Sequence, residues 1–271
     1  MPILATLCLG ACASAHNYTD PDKPRHETRY GSAREPDETL RVVSFNVKFA
    51  VKVDEAIAVL LDTPALQEPD ILALQEMDAE GTERIARALE MNSIFFPAAI
   101  HPKTGRDFGN ALLSPWPLDD VRKLILPGES RFTGLKRTAT VATVRVGDRP
   151  VRAYSVHLET PIHLSSKGRR AQVQAIVDDA RSSPHPVVVA GDFNTRGLSQ
   201  PFEDAGYNWL TRNLRDTSLW WELDHIYALD LEPPGLGTTG VADDIHDASD
   251  HKPVWALLAP RAREGRGPQR R

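Results

Sequence analysis

The sequence predicts an α/β protein in which two mixed β-sheets pack together with helices on the outside. Three observations lead there. Strand-like and helix-period stretches alternate toward both ends of the chain, the middle is strand-like throughout, and strand after strand stops in an acid, an amide or an imidazole. With 271 residues, 41% hydrophobic and 25% charged, the chain suits one large domain with a substantial core.

Taken in order, Leu40-Arg41-Val42-Val43-Ser44-Phe45-Asn46-Val47 reads as the first buried strand. Asp54 to Asp62 spaces Ile57, Leu60 and Leu61 as one helix face. Pro64 and Pro69 bracket a short connection to a second buried strand, Asp70 to Glu76, and Gly81 to Met91 reads as an amphipathic helix. The runs Gly109–Ser114, Asp120–Leu126, Thr138–Val146 and Val151–His157 follow with short breaks, a hairpin turn at Gly147-Asp148-Arg149 among them, and predict an antiparallel meander. Ser165 to Ser182 is a helix with Val173, Ile176 and Val177 inward. Three valines after Pro186 make a buried strand that ends sharply in Gly191-Asp192-Phe193-Asn194. A short helix near Leu198–Ala205 and strands at His225–Leu229 and Pro253–Leu258 complete the pattern.

The two ends differ from this body. Met1 to Ala15 is apolar and rich in small residues, like an export signal, and Leu9-Gly10-Ala11-Cys12 resembles a bacterial lipobox. The stretch lacks a positive start and its apolar run is short, as it would be had the start been assigned too late. The expectation is an exported protein, either tethered to a membrane through Cys12 or periplasmic or secreted. Residues 16–39, rich in Pro, Asp, Glu, Arg and His, read as a disordered linker ahead of a domain at 40–260. Residues 261–271 carry five arginines against one glutamate and read as a basic, solvated tail, leaving the body at −9 within a total of −5. An acidic body is a poor non-specific binder of polyanions. Cys8 and Cys12 are the chain's two cysteines, so the body has no disulfide and no zinc-type cysteine cluster.

The polar strand ends carry the functional signal. Asn46, Glu76, His157, Asp192 with Asn194, Asp224, and Asp250-His251 each have an ordinary structural role as a turn former, cap or hydrogen-bonded core group. Together they put acids, amides and imidazoles at one rim of the sheets, where α/β proteins place ligands.

The ordered series Ser44-Phe45-Asn46, Leu74-Gln75-Glu76, Gly109-Asn110-Ala111, Ser155-Val156-His157, Gly191-Asp192-Phe193-Asn194, Leu223-Asp224-His225-Ile226 and Ser249-Asp250-His251-Lys252-Pro253 resembles the motif series of the endonuclease/exonuclease/phosphatase superfamily, across residues 40–260. The resemblance implies a deoxyribonuclease I-like, four-layer sandwich and divalent-metal-dependent cleavage of phosphate esters. It implies that Glu76, Asn46 and Asp250 hold Mg²⁺ or Mn²⁺, hard cations that take oxygen ligands. His251 would meet the phosphoryl group and shuttle a proton, oriented by Asp224. Asp192 and Asn194 would position the attacking water, and whether Asp192 or His251 is the general base stays open. His157 would lie near the phosphate, with Arg137 and Asn110 as substrate contacts.

Substrate choice lies in loops. The chain has Pro115-Trp116-Pro117 where many relatives have a basic residue after the Asn110 strand. The segment 195–222 is short for the insertions that grip duplex DNA. Trp220-Trp221 reads as core packing, with stacking on a base or contact with lipid as the alternative. The leading expectation is a monomeric phosphodiesterase or nuclease. Alternatives are a phospholipid or sphingomyelin phosphodiesterase, a phosphatase of small esters, and a non-catalytic binding module on the same fold.

Overall fold

The computed structural model describes residues 14–32, 34–218 and 221–261. The lipobox cysteine Cys12, Trp220 and the tail from 262 lie outside the described residues. In chain order the elements are β1 (His16–Asn17), β2 (His26–Arg29), β3 (Leu40–Asn46), α1 (Val53–Asp62), β4 (Ile71–Met77), α2 (Ala79–Ala88), β5 (Asn92–Ile100), β6 (Asp107–Ser114), β7 (Leu118–Ile125), β8 (Thr138–Val146), β9 (Arg149–His157), α3 (Ser166–Ala180), β10 (Val187–Asp192), α4 (Gln200–Asp204), β11 (Asn208–Trp209), β12 (Asp224–Leu229), β13 (Leu231–Glu232), β14 (Thr239–Val241) and β15 (Val254–Pro260).

The strands form two mixed sheets. The first runs β1-β5-β6-β4-β3-β15-β13, with β2 also on β5 and β14 also on β15; the second runs β11-β12-β10-β9-β8-β7. Strand alternation builds the layers. In β3, β4 and β10 the residues Val42, Ile71, Ala73, Val188 and Ala190 face the core between the sheets. Their neighbours Val43, Leu72 and Leu74 face α1 and α2, through Val53, Val59, Leu60 and Ile85. Val187 and Val189 face α3 and α4, through Val173, Ile176, Val177 and Phe202. Period-2 strands that are apolar on both faces need cover on both, and the result is helix, sheet, sheet, helix.

Two expectations change. The stretch 16–39 is not a disordered linker throughout: His16 and Asn17 pair with Ile100 and Ala99, and His26–Arg29 pairs with Phe95–Asn92. The open edge of β5 offers a row of backbone donors and acceptors, and main-chain pairing needs no apolar pattern in the strand that fills it. The buried ammonium of Lys123 adds a pin, donating to the carbonyls of Lys23 at 2.9 Å and Pro97 at 3.2 Å. The predicted meander also divides. β6 belongs to the first sheet between β5 and β4, and only β7, β8 and β9 form an antiparallel meander in the second.

Candidate active site

The space between the sheets is apolar along most of its length and turns polar at one end. On β3 the inward side chains run Val42, Ser44, Asn46, and on β4 Ile71, Ala73, Gln75. Ser155 on β9 donates to the Leu74 carbonyl at 2.9 Å and accepts from Gln75 Nε2 at 3.0 Å, joining the two sheets below the site. One step further along, register puts His157, Asp192 and Asp224 side by side, since Asp192 pairs with His157 of β9 and with Asp224 of β12. Residues in register share a face, so three separate segments deliver one row.

The neighbouring backbone leaves the common conformations at several points here. Lys48, Phe49 and Ala50 have φ of 40°, 56° and 48°, Glu76 has 58° and Asn194 has 53°. Such left-handed positions in non-glycine residues cost energy and gather where function constrains the chain. The turn at 48–50 aims the Phe49 amide at Glu76 Oε2, 3.1 Å away, while Asn46 Oδ1 accepts from the Lys48 amide at 3.0 Å. The ladder between β4 and β6 shifts register between Leu74 and Met77, which releases Glu76 from strict alternation.

Asp192 is the hub. Its carboxylate accepts from Asn46 Nδ2 at 3.0 Å and from the Asn194 amide at 2.8 Å, and lies 3.3 Å from His157 Nε2 and 3.8 Å from His251 Nε2. Burial raises its pKa against the pull of His251, and the nearby Asp224 charge raises it further. His251 Nδ1 meets Asp224 Oδ2 at 2.8 Å. Burial works against protonation of His251, yet Asp224 and Asp192 together push its pKa up to about 10, which favours the imidazolium form. His157 is the opposite case. Its Nδ1 lies 3.0 Å from Arg137 Nη1, which can only donate, so Nδ1 accepts and Nε2 carries the proton toward Asp192. Burial and then the Arg137 charge hold the ring neutral, well below its ordinary range.

Arg137, a candidate phosphate contact from sequence, is buried rather than solvated. It spans His157 and Glu159, with Nη2 3.1 Å from Glu159 Oε1, and its guanidinium lies 5.5 Å from the centre of the Phe108 ring. Glu159 was not singled out from sequence. It is fully buried and also accepts from the Thr160 amide at 2.9 Å, and its own amide donates to Gln172 of α3 at 3.0 Å. Its one sequence signal is an acid in the short stretch Leu158-Glu159-Thr160 beyond a strand that ends in histidine. Asn110 braces the sheets beside Arg137: its side-chain amide donates to the Thr138 carbonyl at 2.7 Å and its main-chain carbonyl accepts from the Thr140 hydroxyl at 2.7 Å. Asn194 donates its side-chain amide to the Leu158 carbonyl at 3.0 Å. Trp221 is 66% exposed, so core packing is not its role.

Two acid clusters are candidates for a cation. Asp192, Asp224 and His251 offer ligand atoms within 4.8 Å of one another. His251 Nδ1 is already engaged by Asp224 Oδ2 at 2.8 Å, so the trio can pass a proton as well as offer ligand atoms. The other set is Glu76, Asn46 and Asp250. Burial raises the Glu76 pKa despite the opposing field of Arg137, and its Oε1 has only the Asn46 amide at 3.4 Å. Asp250 is half-exposed and holds the Lys48 ammonium at 3.1 Å. An all-oxygen set with under-compensated negative charge fits a hard divalent cation.

Residues 43–251 match the model of the endonuclease/exonuclease/phosphatase family. The chain belongs to that family. Its members hydrolyse phosphate esters and use divalent metal ions. No curated protein sequence matches the chain. Similar solved structures include an endonuclease/exonuclease/phosphatase from Bacteroides vulgatus, with 17% identity over 82% of this chain and 99% of that one and a TM-score of 0.64. D. rerio TDP2 complexed with single strand DNA product has 18% identity over 82% and 99%, with a TM-score of 0.61. The human Nocturnin catalytic domain with bound sulfate anion has 17% identity over 87% and 97%, with a TM-score of 0.58. At these identities the likeness is one of fold, and the two-sheet sandwich agrees with the architecture expected from sequence.

Proposed function

We propose that the protein is a phosphodiesterase of nuclease type that works with Mg²⁺ or Mn²⁺. The observation that carries this reading is the His157–Asp192–Asp224 row with the His251 imidazolium bridging toward its two acids. Hydrolysis of a phosphodiester needs an oriented water, a proton acceptor, and positive charge on the phosphoryl oxygens. Asp192 is the proton acceptor in this reading, because its carboxylate sits among Asn46, His157 and His251 while Asp224 holds His251 by Nδ1. The raised pKa of Asp192 makes it a better base than an ordinary carboxylate. His251 then presents its Nε2 proton to a non-bridging oxygen, while Asp224 holds the ring by Nδ1. Arg137 adds fixed positive charge beside His157. Mg²⁺ bound by Glu76, Asn46 and Asp250 would neutralise charge on the phosphate and stabilise the leaving oxygen.

The single strand DNA product held by D. rerio TDP2 supports a nucleic-acid substrate on this fold. The test is hydrolysis by the full chain of bis(p-nitrophenyl) phosphate, p-nitrophenyl phosphate, single- and double-stranded DNA, RNA and sphingomyelin, each with Mg²⁺, Mn²⁺ or chelator. The full chain is needed because the segment from His16 is part of the first sheet. Metal-dependent cleavage of diesters and single strands ahead of the monoester is expected. Turnover that survives chelation, or none on any substrate, overturns the proposal.

A further inference from the structure

We propose that the active-site end of the sandwich docks on a phospholipid surface, with Phe132, Ile162 and Trp221 entering the boundary between headgroups and acyl chains. The docking stands apart from the chemistry at the site, and its test reads binding alone.

The placement of exposed apolar side chains comes first. Among the described residues, the large hydrophobic side chains left exposed are Val51, Leu61, Phe132, Ile162, Trp221 and Leu236. Four of these six sit on loops that adjoin site residues: Val51 after the Lys48–Ala50 turn, Phe132 ahead of Arg137, Ile162 beyond His157, and Trp221 ahead of Asp224. Leu61 and Leu236 lie away from it, at the far end of α1 and in the loop between β13 and β14. The loops of the rim are tied to the catalytic network. The Phe132 ring packs edge-on to His163 with centroids 5.4 Å apart, and His163 Nδ1 is 3.4 Å from Glu159, the partner of Arg137. Pro161, Asn194 and Trp221 line one cleft, which joins the Ile162 loop to the Trp221 strand end. Scattered single hydrophobics need no explanation, but several on adjoining loops at one end of the sandwich do.

The second observation is where the chain outside the described residues ends. Ala15 donates its amide to the Thr133 carbonyl at 2.8 Å, next to Phe132. Its side chain packs with Phe49 against Ala99, Phe108 and Leu135, and the Phe108 ring is 5.8 Å from His157. The chain therefore leaves the body at the site wall. Cys12 is three residues from Ala15, so a group carried there stays within about 11 Å of that wall. A membrane tether at Cys12 would bring this face near the bilayer.

The chemistry favours lipid over single-stranded nucleic acid as the occupant. Phenylalanine and tryptophan could stack on bases, but Ile162 and Val51 have no π face to offer. Aliphatic and aromatic tips flanked by basic side chains are what an interfacial surface requires. Beside the Phe132 tip, Arg131 lies 4.9 Å from the centre of the ring.

The test uses the full chain with Cys8→Ser and Cys12→Ser, so that no lipid can be attached and docking must come from the fold. Single cysteines are introduced as Phe132→Cys, Ile162→Cys or Trp221→Cys, with Asp148→Cys at the opposite end of β8 and β9 as control, and labelled with a polarity-sensitive dye. Vesicles of phosphatidylcholine, and of phosphatidylethanolamine with phosphatidylglycerol, are then titrated in. A blue shift at 132, 162 and 221 but not at 148 is expected. The combined Phe132→Ser, Ile162→Ser and Trp221→Ser variant should lose on the order of 100-fold in vesicle partitioning. Unchanged near-ultraviolet circular dichroism would show that it folds. No binding to either vesicle, an equal shift at 148, or a shift with single-stranded oligonucleotide and not with vesicles overturns the proposal.

Discussion

Replacing Arg137 with methionine tests the buried network beside the site, because the structure separates its effect on stability from its effect on turnover. The guanidinium is nearly inaccessible and Glu159 is fully so. Methionine keeps much of the stem and the contact with Phe108, but leaves Glu159 with only the Thr160 amide and the His163 ring as polar partners. Removing one member of a buried ion pair typically costs about 3–5 kcal/mol, most of it the penalty of an uncompensated charge. Adding Glu159→Gln removes that charge, so the double variant should recover to within about 1–2 kcal/mol of the parent. Urea denaturation followed by tryptophan fluorescence, in chelator, measures all three proteins. Turnover should not recover with stability, since the charge beside His157 is gone in both variants. A single variant that loses less than about 1 kcal/mol, or a double variant no more stable than the single, refutes the account of Glu159 as a buried carboxylate that needs Arg137.

Three further outcomes are expected. Gly191→Ala should be among the most damaging single changes, since a Cβ there would collide with the Val156 carbonyl oxygen of β9; a loss above about 3 kcal/mol in denaturation is expected, and a loss under about 1 would mean that β9 and β10 can part freely. Glu76→Gln should abolish Mn²⁺ binding by calorimetry while leaving the metal-free protein at least as stable, because burial already disfavours the Glu76 charge; retained binding would remove Glu76 from the ligand set. Burial pulls the Lys123 pKa down to about 8, against about 10.4 in an unfolded chain, so between those values the unfolded state binds more protons and stability should rise with pH. Lys123→Met should flatten that rise in a series of denaturation midpoints, and an unchanged slope would assign it to other groups.

The layers of the fold were legible because its strands advertise themselves. Val187-Val188-Val189 and Ile71-Leu72-Ala73-Leu74 are apolar on both faces and can only be central strands covered on both sides. The strand β5 was not legible. Pro97 lies inside it and Ala98-Ala99 carries little β-preference, and the ladder shifts register between Pro97 and Ala99 to accommodate them. β1 and β2 escaped for a related reason: they are held by main-chain bonds to an edge, which leave no side-chain period to read. At the site, Asn46, Glu76, Asp192, Asp224 and His251 could be named because each ends a readable strand or belongs to an ordered motif. Glu159 could not, since one acid in a loop looks solvated until its neighbours are known. The burial of Arg137 and the engagement of Asn110 with Thr138 depend on how the two sheets meet, which no local pattern encodes.

On the proposed function, Asp192, set between His157 and His251, serves metal-assisted hydrolysis of a phosphodiester. The most direct measurement is turnover of bis(p-nitrophenyl) phosphate by the full chain and by Asp192→Asn, across a Mg²⁺ titration that starts from chelator. Saturable, metal-dependent turnover that falls by at least about 10³-fold in the variant is expected, with Mn²⁺ affinity little changed, as for a metal held by the proposed set Glu76, Asn46 and Asp250. Equal turnover in the two proteins, or activity that persists in chelator, would contradict it.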